Sequence, residues 1–184
     1  MKPHQLNHIL FSRDKISQRV DELIDEIAAD CDTGNLVLLG ILRGSFIFMA
    51  DLVRGLERHK LHPRIDFITL SSYGAEIQSC GTVRIMHDTD VDLKEADVVV
   101  VDDILDSGRT LAFAKKLFLE RGARSVRTCV ILDKQTVRAV KMEADYVGFP
   151  VNDVFVVGYG LDYNNYYREL PYIAEVTFEN GMME

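Results

Sequence analysis

Three carboxylates within five residues, Asp102, Asp103 and Asp106, run straight into Ser107, Gly108, Arg109 and Thr110, the strongest chemical signal in this 184-residue chain. Carboxylates accept hydrogen bonds from diols, and magnesium prefers oxygen ligands. The small polar residues that follow can cradle a phosphate with backbone N–H groups and hydroxyls, and Gly108 lets the backbone approach it closely. Like charges crowded this way repel unless a cation or a diol lies between them, so helix capping by Asp106 and Ser107 is an insufficient reading. Three chemistries use an acid-tipped strand. A P-loop NTPase sets its acid on magnesium but also needs Gly-x-x-x-x-Gly-Lys-Ser/Thr, which is absent here. A phospho-receiver groups its acids after the first strand, whereas these follow a mid-chain one. In the third, Asp102 and Asp103 face ribose hydroxyls or magnesium while residues 106–110 wrap the attached phosphate.

The elements that position these residues can be read from periodicity. Val98, Val99, Val100 and Val101 have no polar alternation, so they predict a strand buried on both faces. After the loop, Leu111, Ala114, Leu117 and Phe118 share one helical face, and Gly122 closes the helix. Upstream, Ile16, Val20, Leu23, Ile24 and Ile27 recur at helical spacing, predicting a helix over 14–30 with Ser12 as N-cap. Apolar runs at 36–42, 65–70 and 126–132 predict further strands, with a helix over 46–56, a returning hairpin strand at 82–86 and a short strand near 146–147. Val154-Phe155-Val156-Val157 is the last strong apolar run. Alternating strands and helices imply an α/β fold, a doubly wound, mostly parallel sheet flanked by helices with right-handed crossovers. In such folds ligands bind beyond the carboxyl ends of the strands, where the polar turns of this chain lie.

The length fits a single domain. Residues 74–81 are small and polar with a glycine at each end, which suits a lid. Cys31, Cys80 and Cys129 are odd in number and lack metal-ligand spacing, arguing against a disulfide framework or a zinc site. With no signal-peptide pattern and no bilayer-length apolar stretch, a cytoplasmic location is expected. The net charge of −8 disfavours nucleic acid and anionic membranes as partners, while leaving room for a small anion held by local cations.

Other motifs follow in a telling order: Leu42-Arg43-Gly44, Ser72-Tyr73-Gly74, Lys134, then Val154-Phe155-Val156-Val157-Gly158-Tyr159-Gly160-Leu161-Asp162-Tyr163, with Arg168 beyond. Together with the acid-rich segment, across about residues 36–172, they resemble the type I phosphoribosyltransferases. The flanking motifs point to the 6-oxopurine branch, the hypoxanthine-guanine phosphoribosyltransferases. The resemblance implies that branch's fold, with a small hood built from the N-terminal segment and about residues 150–184. It also implies purine salvage: transfer of 5-phosphoribosyl from phosphoribosyl diphosphate (PRPP) to N9 of hypoxanthine or guanine, giving IMP or GMP and pyrophosphate.

The same resemblance assigns roles residue by residue. Asp106 would act as the base near N7 of the purine. Asp102 and Asp103 would contact the ribose hydroxyls, while Ser107, Gly108, Arg109 and Thr110 form the phosphate loop. Lys134 would donate to the 6-oxo group, which an ammonium can do and an amino-bearing purine could not accept. Phe155 would stack on the base and the Val156 backbone would read its edge. Leu42, Arg43 and Gly44 would take pyrophosphate, often through a non-proline cis peptide, with Arg168 assisting, and Ser72 and Tyr73 would sit at the base of the lid. Magnesium is implied as cofactor, with Asp102, Asp103 and Asp162 as its acids, and the assembly is expected to be a homodimer or homotetramer. Asp102 and Arg109 depart from the branch, where glutamate and lysine are common. A related RNA-binding regulator would lack both an acid at Asp106 and the Phe155 to Tyr163 motif, and would carry a basic face.

Overall fold

The computed structural model describes residues 4–31, 34–72, 83–136 and 138–178. Its first helix, α1 (Arg13–Asp30), begins where expected: the Ser12 hydroxyl accepts from the Lys15 N–H at 3.4 Å, and all five periodic residues are buried. Strands β2 (Leu36–Leu42), β3 (Arg64–Ser72), β4 (Val83–His87), β5 (Asp97–Leu105), β6 (Ser125–Lys134) and β7 (Tyr146–Val151) form one sheet in the order β4-β3-β2-β5-β6-β7. Every neighbouring pair is parallel except the edge pair β3–β4, a returning arm.

The valines of β5 show why this sheet is buried twice. Val99 and Val101 pack on one face among α1 and α2 (Phe46–Leu56), while Val98 and Val100 pack on the other with Leu111, Ala114 and Phe118 of α3 (Arg109–Glu120). Gly122, at φ +86°, ends α3 as expected, with the Ala123 N–H reaching back to the Phe118 carbonyl at 3.2 Å.

The chain winds outward from β2 to β3, then crosses back to place β5 on the other side of β2. The loops leaving β2 and β5 therefore diverge, opening the crevice in which open α/β sheets take ligands. A second sheet, β1-β9-β8, joins β1 (His4–Phe11), β9 (Ile173–Phe178) and β8 (Val156–Val157) in antiparallel pairs. The apolar run at 154–157 thus does not extend the main sheet. Only its last two residues pair, and their partner is β9. Among the described residues, no helix is long and apolar enough to cross a membrane.

Candidate active site

The crevice between the ends of β2 and β5 is a cavity of about 300 Å³ walled by Arg43, Gly44, Asp102, Asp103, Asp106 and Thr110 among others. Strand alternation sends Asp103 toward the loop after β2. There its carboxylate lies so close that a Cβ at Gly44 would fall 1.4 Å from Oδ2, so no other residue fits at that position. The peptide Leu42-Arg43 just before it is cis. Asp102 is 8% exposed, and its Oδ1 accepts the Asp103 N–H at 3.0 Å. Burial and the neighbouring Asp103 charge push the Asp102 carboxyl well above the usual carboxylate range. Asp103 is raised too, chiefly by burial, with the Arg168 charge opposing the shift. The fold thus buries two adjoining carboxyls whose ionised forms are costly and, among the described residues, sets no side-chain cation in an ion pair with either.

Past the acids, Gly108 serves as N-cap of α3 at φ +79°, a backbone geometry that favours glycine. The Ser107 hydroxyl accepts from the Arg109 N–H at 3.5 Å, and the first turn of α3 holds no acidic residue. The positive end of the helix therefore faces the cavity without a carboxylate of its own, the arrangement that receives a phosphate. A bracing contact comes from outside: the Val140 N–H donates to the Ser107 carbonyl at 3.1 Å.

On the side of β5 away from β2, β6 ends in Lys134. Its Nζ stands 3.8 Å from Asp106 Oδ2 and 3.0 Å from Asp153 Oδ1. Phe155 is half-buried beyond it, meeting the rings of Tyr163 and Phe178 edge-on at 5.7 and 5.6 Å. The Val156 backbone is paired with Glu175 of β9.

Arg168 donates to Asp162 Oδ1 at 2.6 Å and to the Gly160 carbonyl at 2.6 Å, while Asp162 Oδ2 accepts the Asn165 N–H at 2.7 Å. Arg43 reaches the same corner through Asn165 Oδ1 at 3.3 Å. Behind it, the buried Tyr159 hydroxyl donates to Asp51 of α2 at 2.6 Å, tying the 158–162 turn to the helix that follows Gly44.

The expected residues therefore gather at one sheet edge, with two exceptions. Tyr73 and the expected lid at 74–81 lie outside the described residues, and Ser72 ends β3 beside them. Asp162 is not grouped with Asp102 and Asp103. Among the described residues no cluster of three acids, histidines or cysteines is poised for a metal, and the Asp162 oxygens are engaged by Arg168 and the Asn165 N–H. Sequence reasoning missed Asp153, Asn165 and the Tyr159–Asp51 link. Each acts through a partner distant in sequence, and no local pattern marks such a contact.

An acid-tipped strand, a glycine loop and a helix N-terminus at the switch point of a mostly parallel sheet are what the sequence leads one to expect of a phosphoribosyltransferase. The Phosphoribosyl transferase domain profile matches residues 9–164. The hypoxanthine-guanine phosphoribosyltransferase of Dictyostelium discoideum is 42% identical over 172 residues, covering 93% of this chain and 96% of that protein. The enzyme of the same name from Bacillus subtilis is 39% identical over 174 residues, covering 95% of each. A crystal structure of a hypoxanthine-guanine phosphoribosyltransferase from Bacillus anthracis superposes with a TM-score of 0.87 at 38% identity, covering 95% of this chain and all of that one. The chain belongs to the hypoxanthine-guanine phosphoribosyltransferase family.

Proposed function

We propose that this protein salvages purines, transferring the 5-phosphoribosyl group of PRPP to N9 of hypoxanthine or guanine with release of pyrophosphate. The observation that carries the reading is the Lys134–Asp106 separation of 3.8 Å, which sets an ammonium from the end of β6 beside the acid that begins the phosphate loop after β5. A 6-oxopurine presents O6 and N7 side by side on one edge. An ammonium beside a carboxylate matches that edge: Lys134 donates to O6 while Asp106 takes the N7 proton. Adenine would turn an amino donor toward the Lys134 ammonium, setting donor against donor, which is how the site would reject it.

The remaining roles follow from the placement of each group. Positive charge builds on the ribose as the bond from C1 to pyrophosphate breaks and the bond to N9 forms, so the negative Asp102–Asp103 pair stabilises the sugar. Ser107, Gly108, Arg109 and Thr110 hold the 5-phosphate at the start of α3. Leu42, Arg43 and Gly44 present backbone and guanidinium to pyrophosphate, with Arg168 nearby. Phe155 supplies the apolar wall for the base, and the Val156 backbone its edge contact.

Two adjoining carboxylates without a third acid suit magnesium, which keeps few protein ligands and draws the rest from substrate oxygens and water. Asp102 and Asp103 would hold it, with Asp162 free to join once Arg168 turns to pyrophosphate, and it would neutralise charge on the leaving group. We further propose a single working domain in which the β1-β9-β8 sheet is the hood, a cytoplasmic location and a homodimeric or homotetrameric assembly. A magnesium-dependent assay with PRPP and each of hypoxanthine, guanine, xanthine, adenine and uracil tests the proposal. IMP or GMP with stoichiometric pyrophosphate is expected, and turnover confined to adenine or uracil would overturn it.

A further inference from the structure

Lys134 is the hub of a three-residue charge relay of which only two members have a role so far. Its side chain is 13% exposed, and it holds Asp153 at 3.0 Å more tightly than Asp106 at 3.8 Å. Asp153 reaches it through the sheet: β6 and β7 pair with Lys134 opposite Val151, so two residues further on the chain carries a carboxylate past the ammonium. Asp133, next in sequence, cannot substitute, because Arg138 engages it.

We propose that Asp153 is a positioning residue for base selection, one that aims the Lys134 ammonium at the purine 6-oxo group and keeps Asp106 available for N7. The inference rests on the purine-salvage reading. A lysine ammonium sits on a flexible four-carbon stem, so a single anchor does not fix its direction. With Asp106 as its sole carboxylate neighbour, Lys134 would close onto it as a direct ion pair, occupying together the two groups that the incoming base must meet separately. Asp153 draws the ammonium to the far side and leaves one of its three donors pointing into the crevice. The Asp153 side chain is 66% exposed, so its work is not structural support, and replacing it leaves the core intact.

The test uses the full chain with Asp153→Ala and Asp153→Glu. For Asp153→Ala the KM for hypoxanthine is expected to rise about three- to fivefold, the upper end of the scale of one partly exposed ion pair, with the KM for PRPP changed less than about twofold. The hypoxanthine-to-adenine ratio of kcat/KM should fall in parallel, Asp153→Glu should recover most of the loss, and the melting temperature should stay put. An unchanged KM for hypoxanthine, or equal losses for both substrates, overturns the positioning role. A wild-type chain that makes no nucleotide from any 6-oxopurine defeats the parent reading and this one with it. Wild-type activity with an indifferent Asp153→Ala defeats this one alone.

Discussion

Strand β5 carries a buried aspartate at each end, and the two have opposite fates. Asp97, 6% exposed, begins the strand and accepts hydrogen bonds from the Arg124 guanidinium, with Nε at 3.0 Å, and from the Ser125 hydroxyl at 2.6 Å. Arg124 holds its carboxyl below the usual carboxylate range. Asp102, 8% exposed, lies near the other end beside a second carboxylate, and burial with that neighbour pushes it well above the range. Residue type, strand and exposure are matched, so the difference lies in what surrounds each. The fold itself neutralises the acid that holds β5 to β6, and among the described residues it sets no cation in an ion pair with the acid that lines the crevice. On the proposed function, a ribose whose C1 is turning cationic, or a divalent ion, would supply what is missing.

The sharpest way to probe the functional end is Asp106→Asn, which keeps shape and removes the proton acceptor. Turnover should fall about 10²- to 10⁴-fold, the usual weight of a positioned general base. PRPP binding, measured directly by calorimetry, should weaken far less, since the phosphate loop and the Asp102–Asp103 pair remain. Parallel losses in turnover and PRPP affinity would place Asp106 among the binding groups instead.

At the structural end, Asp97→Asn should leave the chemistry alone and cost about 2–3 kcal/mol of stability, the scale of hydrogen bonds to a charged group. For a chain of this size that is roughly 4–12 °C in melting temperature. The pH dependence follows from the depressed carboxyl: its contribution is present above the unfolded value near 4 and is lost as pH falls below that through the lower folded value. Wild type and Asp97→Asn should therefore converge in urea melts as the pH drops below about 4. A gap that persists in acid would mean that packing, not charge, carries the effect.

What could be read from the sequence divides along the same line between local and non-local information. The helix over 14–30 was legible because Ile16, Val20, Leu23, Ile24 and Ile27 repeat with the helical period, and the central strands because apolar runs such as Leu36–Leu42 admit one reading. Strands β1 and β9 were not. Leu6 and Ile9 are largely exposed, and β1 is stabilised by register with a segment at the far end of the chain. The Val154-Phe155-Val156-Val157 run divides in a way its sequence does not show: Phe155 joins an aromatic cluster with Tyr163 and Phe178, while Val156 and Val157 are buried as β8 against β9. Within the site, Asp102, Asp103 and Asp106 announced themselves by crowding. The meeting of Lys134 with Asp106, and the presence of Asp153 beside them, depends on β5, β6 and β7 lying in that order, which no local pattern encodes.

The comparison of the two aspartates makes one more prediction, smaller in size and opposite in sign. Asp102→Asn retains an oxygen that can accept the Asp103 N–H and removes a charge that burial and Asp103 both oppose. The unliganded protein should gain about 1 kcal/mol at neutral pH, in line with relief of strain at a functional site. Because the folded carboxyl is raised, the wild type is at no disadvantage below the unfolded value near 4 and loses stability as pH climbs from there through the raised value. The gain from Asp102→Asn should accordingly be absent in acid and appear on the way to neutrality, the reverse of the Asp97→Asn profile. Activity should decline meanwhile, since a neutral amide offers less to an oxocarbenium-like sugar than a carboxylate does. Urea melts of both variants across pH 3 to 8 decide the matter. If Asp102→Asn destabilises throughout, then the charge at this end of β5 is compensated within the protein after all, and the contrast with Asp97 fails.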